Sequence, residues 1–207
     1  MKKNITRLLT QSIVNSLINK VREMNPDVVN DVFIEHNFTK SKLKIILNFL
    51  LEEGVSIKNT ASILETIADN LDETNKLVTL MEKIREKQAH SILSGLADEN
   101  KTIHIIKLSD SITKMLNKAI YYPETQTELP YFLLKKQKYN KLRKKLYLAR
   151  ELSLKKNTIP VCMINRNLRT AFYNSFKLYF YYLPCISDKE IREAGNNFTI
   201  KTEYTLG

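Results

Sequence analysis

Apolar residues recur at i, i+3, i+4 and i+7 through the first ninety or so positions, then give way to short β-branched runs and alternation. The first period is that of a helix with one buried face, the second that of strands. Leu43, Ile46, Leu47 and Leu50 fall on one face, and Thr60, Ile63, Leu64, Ile67 and Leu71 on the next. Between them, Glu52-Glu53-Gly54-Val55 reads as a stop: Gly54 suits a left-handed C-cap and Val55 the apolar contact that accompanies one. Ser56 is expected to cap the second helix, which makes this stretch a helical hairpin. Upstream, Ile5, Leu8, Leu9, Ile13 and Leu17 predict one side of a helix over 4–24, broken at Asn25-Pro26 because the residue before proline leaves the helical region. A short helix over 26–34 and a loop near Asn37 follow, with Thr39 or Ser41 as the next cap. Leu77, Leu80, Met81 and Ile84 predict a helix to Leu93, ended by Gly95.

Beyond that point KTIHIIKL (101–108) reads as a strand, and Ser109 as the cap of a helix over 110–120. Residues 121–128 read as a loop, and Pro130 suits the first turn of a long helix to about 156. A strand at 159–164, a helix at 166–181, a strand at 182–186 and a last strand at 197–205 complete the pattern. The fold class is therefore α+β: an N-terminal all-helical subdomain followed by a small α/β subdomain.

Composition narrows the function classes. A chain of 207 residues with 43% hydrophobic and 27% charged positions is of ordinary globular character, and long enough for one or two real cores. Four glycines and no tryptophan argue against a phosphate-loop enzyme. Cys162 and Cys185 sit in apolar strand-like runs and read as buried free thiols, with a disulfide open to them if those strands are neighbours. No apolar run reaches the length of a membrane span, and the start of the chain lacks the continuous apolar stretch of a signal peptide. His36, His90 and His104 are far apart with no ligand spacing around them, and no nucleophile–base signature is present, so no catalytic, cofactor or metal site is expected. Glu52-Glu53 and Glu190/Glu193 read as surface or helix-end carboxylates.

Five segments, in order, resemble one family. Leu50, Glu52, Gly54, Val55, Ile57, Lys58, Ile63-Leu64-Glu65 and Ala68-Asp69 are similar to the N-L-L-x-E-x-V-x-I-R-D…I-L-E-x-L-A-D stretch of the type III secretion export gate (FHIPEP) family, with Lys58 for its Arg and Asn59 for its Asp. VREMNPDVVNDV (21–32) resembles the family's P-x-L-V-x-E-V segment. Ile84-Arg85 with Ala89-His90-Ser91-Ile92 resembles V-R-x-x-L-A-R-x-I, His90 replacing Arg. KTIHIIKLSDSITKML resembles its strand and helix, and residues 159–191 its P-V-L-L-V-S-P-x-L-R-x-x-L…L-P-V-L-S-x-x-E-I end. The resemblance implies a division into a leading helix segment (1–15) left over from a preceding subdomain, a helical ring-building subdomain (16–97) and an α/β C-terminal subdomain (98–207). It implies a homo-oligomeric, nine-fold ring at the cytoplasmic face of the bacterial inner membrane, with secretion chaperones, gatekeepers and other export proteins as partners. No cofactor, small-molecule substrate or enzymatic activity is implied. It also implies that this chain is a piece of a longer protein or a split gene product. The exposed sides of helices 39–52 and 77–93 are where ring contacts are expected. The tail motif leans to the virulence injectisome over the flagellum.

The basic run is the remaining feature. Between Leu133 and Asn157 ten lysines and arginines stand against Glu151 alone, contributing to a net charge of +11. Leu134, Leu142, Leu146 and Ala149 make an inner face, so the cations coat the outer one. The plain reading is a solvated surface in a lysine-rich protein. The sharper reading makes Lys141, Arg143, Lys144 and Lys145 a partner surface for an acidic protein or lipid headgroups. Nucleic acid is disfavoured by the lack of a recognition motif, though a basic nucleic-acid-binding or scaffold module is the rival class and a functionless gate-gene remnant a third. Phe172, Phe176 and Tyr179 read as one stripe packed on the sheet, with Tyr173, Tyr181 and Tyr182 left over for a contact surface.

Overall fold

The structure, a computed structural model, describes residues 9–207 other than 75, 126–127 and 180–182. The chain divides into two units, one ending at Lys87 and the other beginning at Gln88.

In the first unit Thr10 caps α1 (Gln11–Met24), its hydroxyl accepting from Ile13 N–H. The buried stripe is Val14, Ile18 and Val21 rather than the expected Ile13 and Leu17; Ile13 is 41% exposed. Two adjacent apolar stripes exist on this helix, and packing against α2 (Pro26–Asn30) and α3 (Lys40–Glu52) selects the one rotated by a residue. Ile5 and Leu8 lie outside the described residues. Pro26 opens α2 at the first turn, where its missing N–H costs nothing, and a π-turn over Asp31–Glu35 ends at Asn37 with φ 51°. Thr39 caps α3, whose Leu43, Ile46, Leu47 and Leu50 are fully buried as the spacing predicts. Then α4 (Thr60–Leu71) starts later than expected. Asn59, not Ser56, is its cap, accepting from Ser62 N–H, while Ser56 accepts only from Lys58 N–H two residues on. The unit closes with α5 (Leu77–Lys87).

The expected helix to Leu93 is interrupted at Gln88, and α6 (Ala89–Ser94) belongs to the second unit. The division thus falls ahead of residue 97, because Ala89 and Leu93 pack with Ile103, Ile105, Val161 and Ile186 of the sheet. That sheet has four parallel strands: β1 (Thr102–Leu108), β4 (Val161–Ile164), β5 (Cys185–Ser187) and β6 (Thr199–Leu206), in the order β5-β4-β1-β6. β4 (VCMI) reads as a continuous apolar run because both faces of the sheet are covered, while β1 interrupts its apolar residues with His104 and Lys107. One face carries α6 and α10 (Asp188–Glu193). On the other, Ile106, Leu108, Cys162 and Ile164 pack against α7 (Asp110–Ala119), α8 (Lys136–Lys155) and α9 (Arg166–Phe176).

Several elements of this unit differ from expectation. The long helix begins at Lys136, not Pro130, because Tyr131–Phe132 (β3) pairs antiparallel with Ile120–Tyr121 (β2). The helix from 166 ends at Phe176 and passes into a 3-10 turn, Lys177–Tyr179. Helix α10 was not anticipated, although Ser187 and Glu190 form a capping box readable as S-x-x-E. Cys162 and Cys185 are register partners on adjacent strands, both buried, and both are thiols outside any disulfide. Hydrogen bonding to Cys185, and then burial, push the Cys162 thiol well above its usual range.

Candidate partner-binding surfaces

The family-motif residues divide by burial. Helix α3 ends in a Schellman turn: Val55 N–H donates to Leu50 C=O (2.8 Å) and Gly54 N–H to Leu51 C=O (3.0 Å), with Gly54 at φ 78° and Val55 buried. Ile63 and Leu64 are fully buried, and Ile57 half so. Arg85, on α5, reaches Glu53 at the end of α3 at 2.7 Å, the two side chains being 2% and 3% exposed. This overturns the reading of Glu53 as a surface carboxylate. Its carboxylate lies inside because the Schellman turn holds the end of α3 against α5. Glu190 is likewise buried, accepting from Ser187 N–H, whereas Glu193 pairs at the surface with Lys189. Of the motif, Gly54, Lys58, Glu65 and Asp69 are exposed, and Glu52, Ile57 and Ala68 half-buried; Lys58, Glu65 and Asp69 are the ones that present a polar side chain.

His36 and His104 are each held by two carboxylates, and no group of three His, Cys, Asp or Glu side chains among the described residues is arranged to hold a metal ion. His36 lies between Asp31 (2.9 Å) and Asp72 (3.0 Å), which raise its pKa, the Asp72 bond foremost. His104 lies between Asp98 (3.0 Å) and Glu203 (2.9 Å), with the same result. Lys156, His104 and Lys201 hold the Glu203 carboxyl down at about 2. His90 packs against the Phe198 ring.

On α8 the buried stripe is Leu142, Leu146, Ala149 and Ser153. Its N-terminal end is pinned by Tyr139, whose hydroxyl donates to Ser175 C=O (2.6 Å) and whose ring stacks on Phe176. Burial, then Tyr179, pushes this phenol to about 12. Lys141 and Lys144 are exposed, Arg143 and Lys145 half-buried. The Arg143 guanidinium stands 4.8 Å from the centre of the Tyr179 ring. Tyr179 therefore leaves the expected stripe: Phe172 and Phe176 are buried, but Tyr179, in the 3-10 turn, is half exposed. Tyr181 and Tyr182 lie outside the described residues, and Tyr173 is half-buried.

The outer face of α8 is not purely cationic. Tyr147, Leu148, Leu152 and Leu154 are exposed on it, and Arg143, Lys144, Tyr147, Leu148 and Tyr179 line an open groove of about 430 Å³. The signal was available: Leu148 and Leu152 lie one turn apart and off the 142/146/149/153 stripe. A helix apolar on two sides, with cations between, has the composition of a protein-docking surface.

Residues 1–196 match the model of the FHIPEP family. The chain belongs to that family. FHIPEP proteins are the flagellar and type III secretion export gates, and the chain is similar to the C-terminal part of its relatives. It is 28% identical over 196 residues to the flagellar biosynthesis protein FlhA of Treponema pallidum, a match covering 92% of this chain and 27% of that protein. It thus spans about a quarter of that relative's length. The fold is shared with the Shigella flexneri MxiA protein (TM-score 0.85, 21% identity, 99% of this chain and 64% of that one). It is shared equally with nonameric EPEC SctV-C (TM-score 0.86, 18% identity, 99% and 59%). No helix among the described residues is long and apolar enough to cross a membrane.

Proposed function

We propose that this chain serves as the C-terminal cytoplasmic portion of a ring-forming export gate at the bacterial inner membrane, docking chaperone–substrate complexes and ordering their export without chemistry of its own. The observation that carries this reading is the family match over residues 1–196, joined to a fold shared over 99% of the chain with a protein solved as a nonamer. A closed ring needs a heterologous contact, one face of a subunit meeting a different face of the next. In the helical unit Lys58, Glu65 and Asp69 are the motif residues available for it. The cation–leucine face of α8, with Lys141, Arg143, Lys144 and Lys145, is the partner surface, and an acidic protein is its complement. The relative matched over 92% of the chain is named for the flagellum, which favours the flagellar branch over the injectisome lean of the tail motif.

The test is mass by light scattering across concentration and salt, for this chain and for a longer protein containing it. Ring-sized species that dissociate on Glu65→Lys with Asp69→Lys support the reading; a monomer under every condition for both proteins removes it. Replacing Lys141, Arg143, Lys144 and Lys145 by glutamine is expected to weaken capture of acidic export chaperones. Unchanged capture would discard the α8 assignment alone.

A further inference from the structure

A second concavity lies on the α/β unit, between α7 and the start of α8, with a volume of about 500 Å³. Its opposing walls are cationic. Lys114 and Lys118 stand one turn apart on α7, facing Lys135 and Lys138 where α8 begins, and all four are exposed. None of them has a carboxylate partner among the described residues, whereas Lys156 and Lys189, elsewhere on the unit, are paired. The rest of the lining is mainly aliphatic: Met115, Ala119 and Leu134 are half-buried and Leu133 is 62% exposed. The cleft is held in shape from below. Leu133 N–H donates to Ala119 C=O at 2.8 Å, continuing the β2–β3 pairing, and Tyr139 anchors the first turns of α8 to Ser175.

Like charges gathered around a low-dielectric concavity reinforce one another's field within it, so the site attracts anions more strongly than the same lysines spread on a convex surface. The exposed leucine beneath them asks for an apolar group at the same time. We infer that this cleft docks an acidic peptide segment of a partner protein, with carboxylates on both sides of one aliphatic or aromatic anchor. The anchor covers Leu133 and Met115 while the carboxylates reach the two lysine walls. No aromatic ring or arginine lines the cleft, so it lacks the stacking platform of a single-strand binder and the bidentate donors of base readout. Its apolar side chains, Met115, Ala119, Leu133 and Leu134, line a concavity and do not form one broad apolar helix face of the kind that lies in a bilayer surface. The site shares no residue with the Arg143–Tyr179 groove and does not depend on the export-gate reading.

The test titrates the ¹⁵N-labelled full chain with an end-blocked peptide Glu-Asp-Leu-Glu-Asp, followed by amide shifts. Saturable shifts centred on Met115, Ala119, Leu133 and Lys138 are expected, with the Kd rising about tenfold when either wall is neutralised by Lys114→Gln with Lys118→Gln or by Lys135→Gln with Lys138→Gln. Replacing the central leucine of the peptide by glycine is expected to weaken binding at least about fivefold. Four outcomes overturn the inference: equal affinity for the glycine peptide, shifts spread along the whole of α8, indifference to both double variants, or tighter binding of anionic phosphatidylglycerol vesicles or an oligothymidylate at equal charge. The substituted lysines are exposed, and an unchanged amide spectrum elsewhere verifies that the variants fold.

Discussion

Arg85→Ala probes what fixes the end of α3 to α5 in the helical unit. The pair it breaks is almost dry, with Arg85 2% and Glu53 3% exposed and the nitrogen–oxygen distance 2.7 Å. Truncation leaves the Glu53 carboxylate beneath the surface without its guanidinium and opens space along α5. Removing one member of a buried pair costs about 3–5 kcal/mol, against roughly 5–15 kcal/mol for the total stability of a domain. Replacing both members by apolar residues of similar length, Glu53→Leu with Arg85→Met, removes charge and countercharge together. That change is expected to be neutral or stabilising, so the pair should couple by at least about 2 kcal/mol in a double-mutant cycle. The assay is urea unfolding, combined with native-state amide exchange along α3 and α5. The exchange data isolate the helical unit, since two units need not unfold in one step. The reasoning fails if Arg85→Ala costs under about 1 kcal/mol and those amides stay as protected as before. A loss that small is the signature of a solvated surface pair.

Gly54→Ala forces a Cβ into φ 78°, and is expected to cost about 1–2 kcal/mol in urea unfolding; no loss would mean that the Schellman turn is not formed. Phe172→Ala, at a fully buried ring beside Phe176, should destabilise the α/β unit by about 3–5 kcal/mol, read from amide exchange in β1 and β4. The Asp98–His104–Glu203 network carries opposite pH signs at its two groups. The His104 pKa is raised above 6.5 by Asp98 and then Glu203, so its contribution is full below about 6.5 and lost as pH rises through the raised value. The Glu203 pKa is lowered, so its contribution is full above 4.5 and lost as pH falls to about 2. Imidazole NMR titration checks the alkaline arm, and a His104 pKa at or below 6.5 refutes it.

The helical period made the first unit legible down to single residues. Leu43, Ile46, Leu47 and Leu50 are all fully buried, and the glycine stop is a left-handed turn. Legibility failed where two local solutions compete and tertiary contact decides. On α1 two apolar stripes differ by one residue, and Asn59 outbids Ser56 because only its oxygen reaches the third N–H onward. Pro130 suits a helix start, but the pairing of Tyr131–Phe132 with Ile120–Tyr121 is invisible until the chain has folded back. The candidate surfaces were half legible. Charge along α8 is plain in the sequence, whereas Leu148 and Leu152 reveal themselves as exposed only once Leu142, Leu146 and Ala149 have claimed the inner face. Cleft lysines 114, 118, 135 and 138 come from two helices joined by a loop and a ribbon, and no local pattern unites them.

The same burial separates what identifies this chain from what it can bind. Leu50, Val55, Ile63, Leu64 and Arg85 are part of the resemblance to the export gates, yet each is buried within its own unit. A partner cannot contact such residues without unfolding the unit, and substituting them acts through stability. A match at such positions therefore speaks for the scaffold and is silent about what docks on it. The exposed positions are free of that constraint. Lys58, Glu65 and Asp69, the leucines and lysines of α8, and the four-lysine cleft can change without cost to the core, since surface substitutions away from special features usually shift stability by under about 0.5 kcal/mol. Partner choice in this protein therefore has to be read from those surfaces, and substitutions there should alter binding while leaving the unfolding curve in place.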